Sequence, residues 1–102
     1  MARLVVLYPR TPEAEFNLDY YLGSHIELVR SSFGDALTRI SVHKGVAGAG
    51  GKPAPFLLST AIDFRDMNAL LSGIERHGAK IAQDVANFTT IPPIIQIEEA
   101  VI

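Results

Sequence analysis

The chain has 102 residues, of which 48% are hydrophobic and 20% charged, and its nine basic and eleven acidic side chains give a formal net charge of −2. This length and composition predict one globular domain, residues 1–102, and exclude a disordered chain. The basic residues are scattered, which argues against a nucleic-acid-binding surface, and the absence of cysteine excludes disulfides and thiolate metal sites.

The N-terminal segment contains a short apolar run, Leu4–Tyr8, which ends at Pro9. This run is too short for the core of a signal peptide, and no other apolar stretch approaches the length of a membrane span. We therefore expect a soluble cytoplasmic protein without a membrane partner. Both faces of the run are apolar, which predicts a strand that is covered on both sides.

A helix is predicted after the loop Pro9–Glu15. Asn17 is a good N-cap, Phe16 and Tyr21 can form a hydrophobic staple around it, and Gly34 ends the helix. At 3.6 residues per turn, one face of this helix carries Leu18, Tyr21, Leu22, His25, Leu28 and Val29. The imidazole of His25 therefore points where a hydrophobic contact is expected.

Two further strands are predicted around a glycine-containing loop. From Leu37 to Val46 apolar and polar residues alternate, with Ile40 and Val42 on one side, as in a half-buried strand. Val46–Pro55 is the hairpin loop, and Phe56–Phe64 is the third strand. The loop does not match a phosphate-binding motif, and we expect it to be a mobile hairpin. It could serve as a lid over a site or as a dimer contact, and the sequence leaves both roles open.

The last third of the sequence predicts helix and then strand. A helical pattern starts near Asp66 and is expected to break at His77-Gly78, and a second short helix follows with Ile81, Val85 and Phe88 on its inner side. Pro92-Pro93 ends this helix, and Ile94–Val101 is the last strand. The order βαββαβ predicts an α+β, ferredoxin-like fold, in which a four-stranded antiparallel sheet has its helices on one face.

The strands also predict a homodimer. Apolar residues occupy both faces of several strands, namely Leu4–Leu7, Leu57 with Ala61, and Ile95 with Ile97. Two helices cover only one face of the sheet, and a bare apolar face of that size is unusual for a monomer. We therefore expect a two-fold dimer that packs sheet against sheet.

Two segments of the chain resemble the EthD family of the dimeric α+β barrel superfamily. They are Tyr8-Pro9 followed by Phe16–Val29, and Asp84–Thr89 followed by the proline-bounded last strand. The resemblance implies a ferredoxin-like dimeric α+β barrel with a small pocket in each subunit between sheet and helices. Relatives are associated with oxidative ether degradation, cofactor-free oxygenation, and cyclase or isomerase steps, so the fold selects no single reaction.

His25 is the candidate catalytic residue, and two interpretations of it are open. In the functional one it is a general acid or base, for which an unperturbed pKa near neutrality is favourable. In the structural one it hydrogen-bonds to a backbone carbonyl or to Tyr21 and fixes the helix.

Four aromatic residues, Tyr8, Phe16, Tyr21 and Phe88, are the candidate substrate-binding residues. Their rings can shape an apolar pocket, and a phenol can donate to a substrate oxygen, with core packing as the alternative for each. Tyr20 lies about 100° away from Tyr21 on the helix and is expected to be exposed or at a subunit contact.

No set of histidine and carboxylate residues has the spacing of metal ligands. His25 and Glu27 point in different directions on a helix, and His43 and His77 are predicted to be solvated, His77 at a helix end. We expect no metal, no haem and no other cofactor.

The first functional hypothesis is a small cofactor-independent enzyme that acts on an apolar, aromatic or polyketide-like small molecule by proton transfer at His25. The reaction would be a cyclisation, isomerisation or dehydration, or an oxygenase-type reaction of the resulting carbanion. The alternative is a non-catalytic dimeric pocket protein that binds a hydrophobic ligand or is an accessory to an oxygenase system. The RNA-binding version of this fold needs exposed aromatics and a basic surface, which the sequence lacks.

Overall fold

The elements of the computed structural model, which describes all 102 residues, follow the predicted order. The strands are β1 (Ala2–Pro9), β2 (Leu37–Lys44), β3 (Phe56–Phe64) and β4 (Ile94–Glu99). Helix α1 consists of α-helical Leu18–Tyr20, a π-helical turn at Tyr21–His25 and α-helical Ile26–Phe33. Helix α2 is Met67–Asp84, followed by a 3-10 turn at Val85–Asn87.

The sheet is antiparallel throughout, with the strand order β2-β3-β1-β4. This is the ferredoxin-like arrangement that the element order predicts, because each βαβ crossover skips one strand and returns on the same face. Val6 of β1 lies between Thr60 of β3 and Ile95 of β4. Tyr8, Val6 and Leu4 share the face that the helices cover, which we call the helix face.

The helices run antiparallel to each other across this face. Near one end of the pair His25 meets Asp84, and near the other end Phe33 lies against Gly73. The buried core falls into two clusters, one beneath each end. The core beneath the Phe33 end is mostly aliphatic, whereas the core beneath the His25 end is rich in aromatic rings. This division leaves a chemically distinct site at the His25 end.

The second helix does not break at Gly78, so that prediction is wrong. One helix continues from Met67 to Asp84 in place of the two that were expected. Glycine costs a helix interior about 1 kcal/mol relative to alanine, which tertiary packing along the helix can offset. His77 therefore lies inside the helix, half-buried against Phe33 with 6.0 Å between ring centroids, and not solvated at a helix end.

We expect Gly78→Ala to raise the free energy of unfolding by about 0.5–1 kcal/mol, because alanine restricts the unfolded chain and favours the helix. A Cβ at this position lies 3.3 Å from Cγ2 of Ile74, which is only half-buried and can move slightly. Urea unfolding measures the change. The control is Gly34→Ala, which must lower stability because Gly34 has a φ of +53°. A less stable Gly78→Ala variant would contradict the prediction.

The opposite face of the sheet, which we call the outer face, is mixed in character. Arg3 donates from Nε and Nη2 to the carboxylate of Asp63, at 2.6 and 3.1 Å. Val5 and Leu7 also lie on this face and are half-buried. Ile95 and Ile97, expected to extend this apolar surface, lie instead on the helix face, because they pair with Val6 and Leu4.

The other predicted segments agree closely with the structure. Phe56–Phe64 is a strand over its whole predicted length, and the loop between β2 and β3 is closed by a hydrogen bond from Gly48 N to Lys52 O at 2.7 Å. The last strand ends at Glu99 and not at Val101. No helix of the structure combines the length and the hydrophobicity needed to cross a bilayer.

Candidate active site

The N-terminal end of α1 is built as the sequence predicts. Asn17 Oδ1 accepts a hydrogen bond from the backbone N–H of Tyr20 at 3.0 Å, which caps the helix. Phe16 packs against Tyr21 with 5.3 Å between ring centroids, as in a hydrophobic staple. The backbone N–H of Asn17 also donates to the carbonyl of Phe88 at 2.8 Å, so the start of α1 is tied to the segment that follows α2.

A π-helical turn places His25. The backbone N–H of Ile26 donates to the carbonyl of Tyr21, five residues back, in place of the four of an α-helix. The extra residue changes which side chains face inward, so that His25, Ile26 and Val29 are buried whereas Leu22 is 49% exposed. Such single π turns are frequent at functional sites.

A cavity of about 390 Å³ lies between the two helices and the helix face of the sheet. Its size is in the range of small-molecule sites. Of its 16 lining residues, 13 are hydrophobic, and only Tyr8, Tyr21 and His25 bring side-chain oxygen or nitrogen atoms to it. The cavity is thus an apolar space with one small polar group of side chains.

His25 forms a hydrogen-bonded pair with Asp84. Nδ1 of His25 lies 2.8 Å from Oδ2 of Asp84, and the two side chains are only 6% and 15% exposed. The other carboxylate oxygen, Oδ1, accepts hydrogen bonds from the hydroxyl of Tyr20 at 2.7 Å and from Nδ2 of Asn87 at 2.9 Å. Asp84 therefore joins α1 to the C-terminal end of α2.

The charge of Asp84 decides the tautomer of His25. Burial alone raises the pKa of Asp84, but the hydrogen bonds from Asn87, His25 and Tyr20 together hold this pKa below its ordinary value. An ionised carboxylate only accepts hydrogen bonds, so Nδ1 of His25 must carry the hydrogen. In the neutral ring the lone pair is then on Nε2.

Nε2 of His25 is open to a ligand. Nε2 has no hydrogen-bond partner in the structure. Among the side-chain polar atoms without a partner, only Ser32 Oγ is fully enclosed, so Nε2 keeps some exposed surface. The side chain that carries Nε2 lines the cavity. The imidazole presents a proton acceptor to an apolar chamber.

Two buried phenols accompany the imidazole. The hydroxyl of Tyr21 lies 2.6 Å from Oγ1 of Thr60. Burial raises the pKa of Tyr21, and burial together with the neighbouring Tyr21 raises the pKa of Tyr8. Both phenols therefore stay protonated at neutral pH and can donate a hydrogen bond to a ligand oxygen.

The structure brings together all five residues proposed from the sequence. Tyr21 stacks on His25 at 5.3 Å between ring centroids, and Phe88 lies 4.7 Å from His25 and 5.9 Å from Tyr8. Phe16 and Phe88 pack behind the other rings, 5.2 Å apart, and do not line the cavity. They support the site, whereas Tyr8, Tyr21 and His25 face the space.

Two residues of the site were not found from the sequence. Asp84 is 59 positions away from His25, and no local spacing links the two. Tyr20 was ranked below Tyr8 and Tyr21 and expected to be exposed or at a subunit contact. In the single chain it is half-buried, because its hydroxyl binds Asp84 and its ring stacks near Phe88 at 6.2 Å. This hydrogen bond to Asp84 raises the pKa of Tyr20. No three His, Asp or Glu side chains converge on one point in the structure.

Comparison with solved structures identifies the family. An EthD-like protein from Ralstonia eutropha is 35% identical, with a TM-score of 0.89 over 99% of this chain and 92% of that chain. This chain belongs to the EthD family. An ethyl tert-butyl ether D family protein from Bacillus halodurans is 20% identical, with a TM-score of 0.77 and 98% of each chain covered.

More distant structures share the fold of this EthD-like chain. An antibiotic biosynthesis monooxygenase is 14% identical, with a TM-score of 0.59 and full coverage of both chains. Neither the family models nor the curated proteins contain a match. The resemblance to the EthD family and the ferredoxin-like fold are thus confirmed, whereas the reaction must be argued from the site.

Proposed function

We propose that this EthD-family protein is a cofactor-independent enzyme in which His25 removes a proton from a carbon next to a carbonyl group of an apolar small molecule. The observation that carries the proposal is the pairing of His25 with Asp84 at the wall of an otherwise apolar cavity. A structural histidine needs no unpartnered nitrogen facing such a space. A general base needs one.

The proton transfer follows from the geometry of the pair. Nε2 of His25 takes the proton, and the imidazolium that forms is stabilised by the carboxylate of Asp84 across the 2.8 Å hydrogen bond. The electron pair of the broken C–H bond passes to the carbonyl oxygen, which becomes an enolate. Tyr8 or Tyr21 can donate to this oxygen, and the apolar walls strengthen both interactions by excluding water.

The fate of the enolate defines the reaction class. Return of the proton to a different atom gives an isomerisation, and attack of the carbanion on a second carbonyl of the same molecule gives a cyclisation. The shared fold of an antibiotic biosynthesis monooxygenase supports an enzymatic role, but at 14% identity it transfers no reaction. An aromatic or polyketide-like compound suits the rings around the cavity.

Hydrogen exchange tests the proposal without knowledge of the natural substrate. Acetophenone has exchangeable methyl protons next to a carbonyl, and proton NMR in heavy water follows their loss. We expect the rate to rise with protein concentration and to saturate with the ketone. If the ketone binds and stabilises the protein without any added exchange, the enzyme proposal fails and a hydrophobic-ligand-binding protein, or an oxygenase accessory, takes its place.

We also propose that a second copy of the chain covers the outer face. Val5, Leu7, Leu57 and Ala61 are half-buried there, and Ile94 is 52% exposed. Without a partner these side chains would leave an apolar surface in water, and the family resemblance implies a dimer through this face.

A charge in the centre of this face should separate the dimer. We expect Val5→Lys to convert the protein to a monomer at micromolar concentration in sedimentation velocity, because each interface would then bury two unpaired ammonium groups. Leu22→Lys is the control, because Leu22 is 49% exposed on α1 and away from the outer face. A wild-type protein that sediments as a single chain would contradict the dimer.

A further inference from the structure

The polar side chains of the cavity are confined to one end of it. Tyr8, Tyr21 and His25 lie at one end, and Phe33 and Ile74 lie at the other. From His25 to Phe33 there are eight residues of α1, which corresponds to a length of about 12 Å. The cavity that these residues line therefore extends about 12 Å along α1, and we call this space the channel.

We propose that the ligand of this cavity is an elongated amphiphile with one oxygen-bearing head and an unbranched apolar tail. The head, a carbonyl group, lies between the phenol of Tyr8 or Tyr21 and Nε2 of His25. The tail lies beneath α2 and ends against Phe33 and Ile74. This inference rests on the proposed function, since the head is the group from which His25 removes a proton, and it adds the substrate class.

The polarity of the lining carries this inference. A ligand with polar groups at both ends would have to bury one of them against Phe33, Ile62 and Ile74, where no side chain can hydrogen-bond to it. Such an unpaired polar group is costly in an apolar environment. An apolar tail in the same place instead gains from each methylene that it removes from water.

Gly78 determines the room available for the tail. It lines the cavity from α2, four residues after Ile74 and four residues before Ala82, so the three share one side of the helix. A glycine in a helix interior is unfavourable. What Gly78 provides in return is the space in the cavity that a side chain at this position would fill. A larger side chain at this position would project into the channel.

A homologous series of ligands tests the tail and its length. The probes are methyl n-alkyl ketones with chains from propyl to decyl, and their affinities are measured by calorimetry on the intact protein. Each added methylene should raise the affinity about fourfold until the channel is full, and further methylenes should then add nothing. The chain length at which the affinity stops rising reports the length of the channel.

Gly78→Leu should move this plateau to shorter chains. The decyl ketone should lose about tenfold or more in affinity, as expected when two buried methylenes are displaced, while the propyl ketone is unaffected. Ala79→Leu adds the same side chain one residue further on, at an exposed position of the same helix, and should change nothing. Phe33→Leu, which enlarges the far end, should move the plateau to longer chains and serves if Gly78→Leu does not fold.

The outcomes separate this inference from the proposed function. If affinity depends on chain length and Gly78→Leu or Phe33→Leu shifts the plateau, the proposal of an amphiphilic ligand is supported even where no proton exchange is catalysed. If affinity is independent of chain length, or if no ketone binds, the amphiphile is wrong even where acetophenone exchanges. Equal weakening of short and long ketones by Gly78→Leu would also overturn it.

Discussion

His25→Gln is expected to lower the rate of ketone proton exchange by a factor of about 10² to 10⁴, the usual contribution of a positioned general base. Glutamine keeps an amide that can donate to Asp84, but it has no lone pair able to take a proton from carbon. The measurement is the NMR exchange rate at saturating ketone, so that weaker binding cannot imitate the loss.

His43→Gln is the matched control for this prediction. His43 lies on the outer face of β2 and is exposed, so its replacement should leave exchange unchanged. His25→Ala should lose exchange as well and should be less stable by about 2–3 kcal/mol, since it removes the ring packed between Tyr21 and Phe88 and leaves Oδ2 of Asp84 without a donor. An unchanged rate in a folded His25→Gln protein would refute the general-base role.

The strands were predictable from sequence because their patterns are local. Phe56–Phe64 is a mostly apolar run that begins directly after Pro55, and its observed ends equal the predicted ones. The helix break at Gly78 was mispredicted because the prediction used only the low helix propensity of glycine. In the structure, Ile74 and Ile81 pack against the core on either side of Gly78 and stabilise a continuous α2.

The buried face of α1 was only partly predictable. A regular period of 3.6 residues places Leu18 and Leu22 beside Tyr21, but they are 37% and 49% exposed. The π turn shifts the inward face to include Ile26 and Phe33, and no residue type in the sequence marks such a turn. The imidazole of His25 faces inward both in the regular helical pattern and in the structure, where it stacks on the ring of Tyr21.

The aromatic residues of the candidate site could be predicted from the sequence, but the carboxylate of Asp84 could not. Tyr8, Phe16, Tyr21 and Phe88 are bulky and apolar enough to be sought in a core near His25. Asp84 is an ordinary acidic residue in sequence, and it becomes a partner of His25 only when α1 and α2 pack antiparallel across the sheet. Long-range pairing of this kind depends on the tertiary fold and not on local spacing.

Asp84→Asn is expected to slow proton exchange to the same extent as His25→Gln, by a factor of about 10² to 10⁴, although the base itself is retained. The asparagine oxygen can keep the hydrogen bonds from Tyr20 and Asn87, which turns its NH₂ group toward Nδ1 of His25. Nδ1 must then accept, and the hydrogen moves to Nε2, the atom that has to take the substrate proton. Nitrogen NMR of the imidazole should show this change of tautomer directly.

Stability gives an independent measure of the same carboxylate. We expect Asp84→Asn to lower the free energy of unfolding by about 1–2 kcal/mol at neutral pH, because hydrogen bonds to a charged acceptor are replaced by hydrogen bonds to a neutral one. Asp66→Asn is the matched control, since Asp66 caps α2 by accepting from Ala69 N at 2.7 Å and asparagine caps equally well.

The pH dependence of this difference has a definite sign. Because the folded protein holds the pKa of Asp84 below its ordinary value of 3.8, the stabilisation is complete above that value and is lost as the pH falls through the lower folded pKa. The gap in unfolding free energy between wild type and Asp84→Asn should therefore be present at about pH 6 and shrink toward about pH 3 in urea titrations. A gap of the same size at about pH 3 as at about pH 6 would mean that the stabilisation does not come from the ionised carboxylate of Asp84.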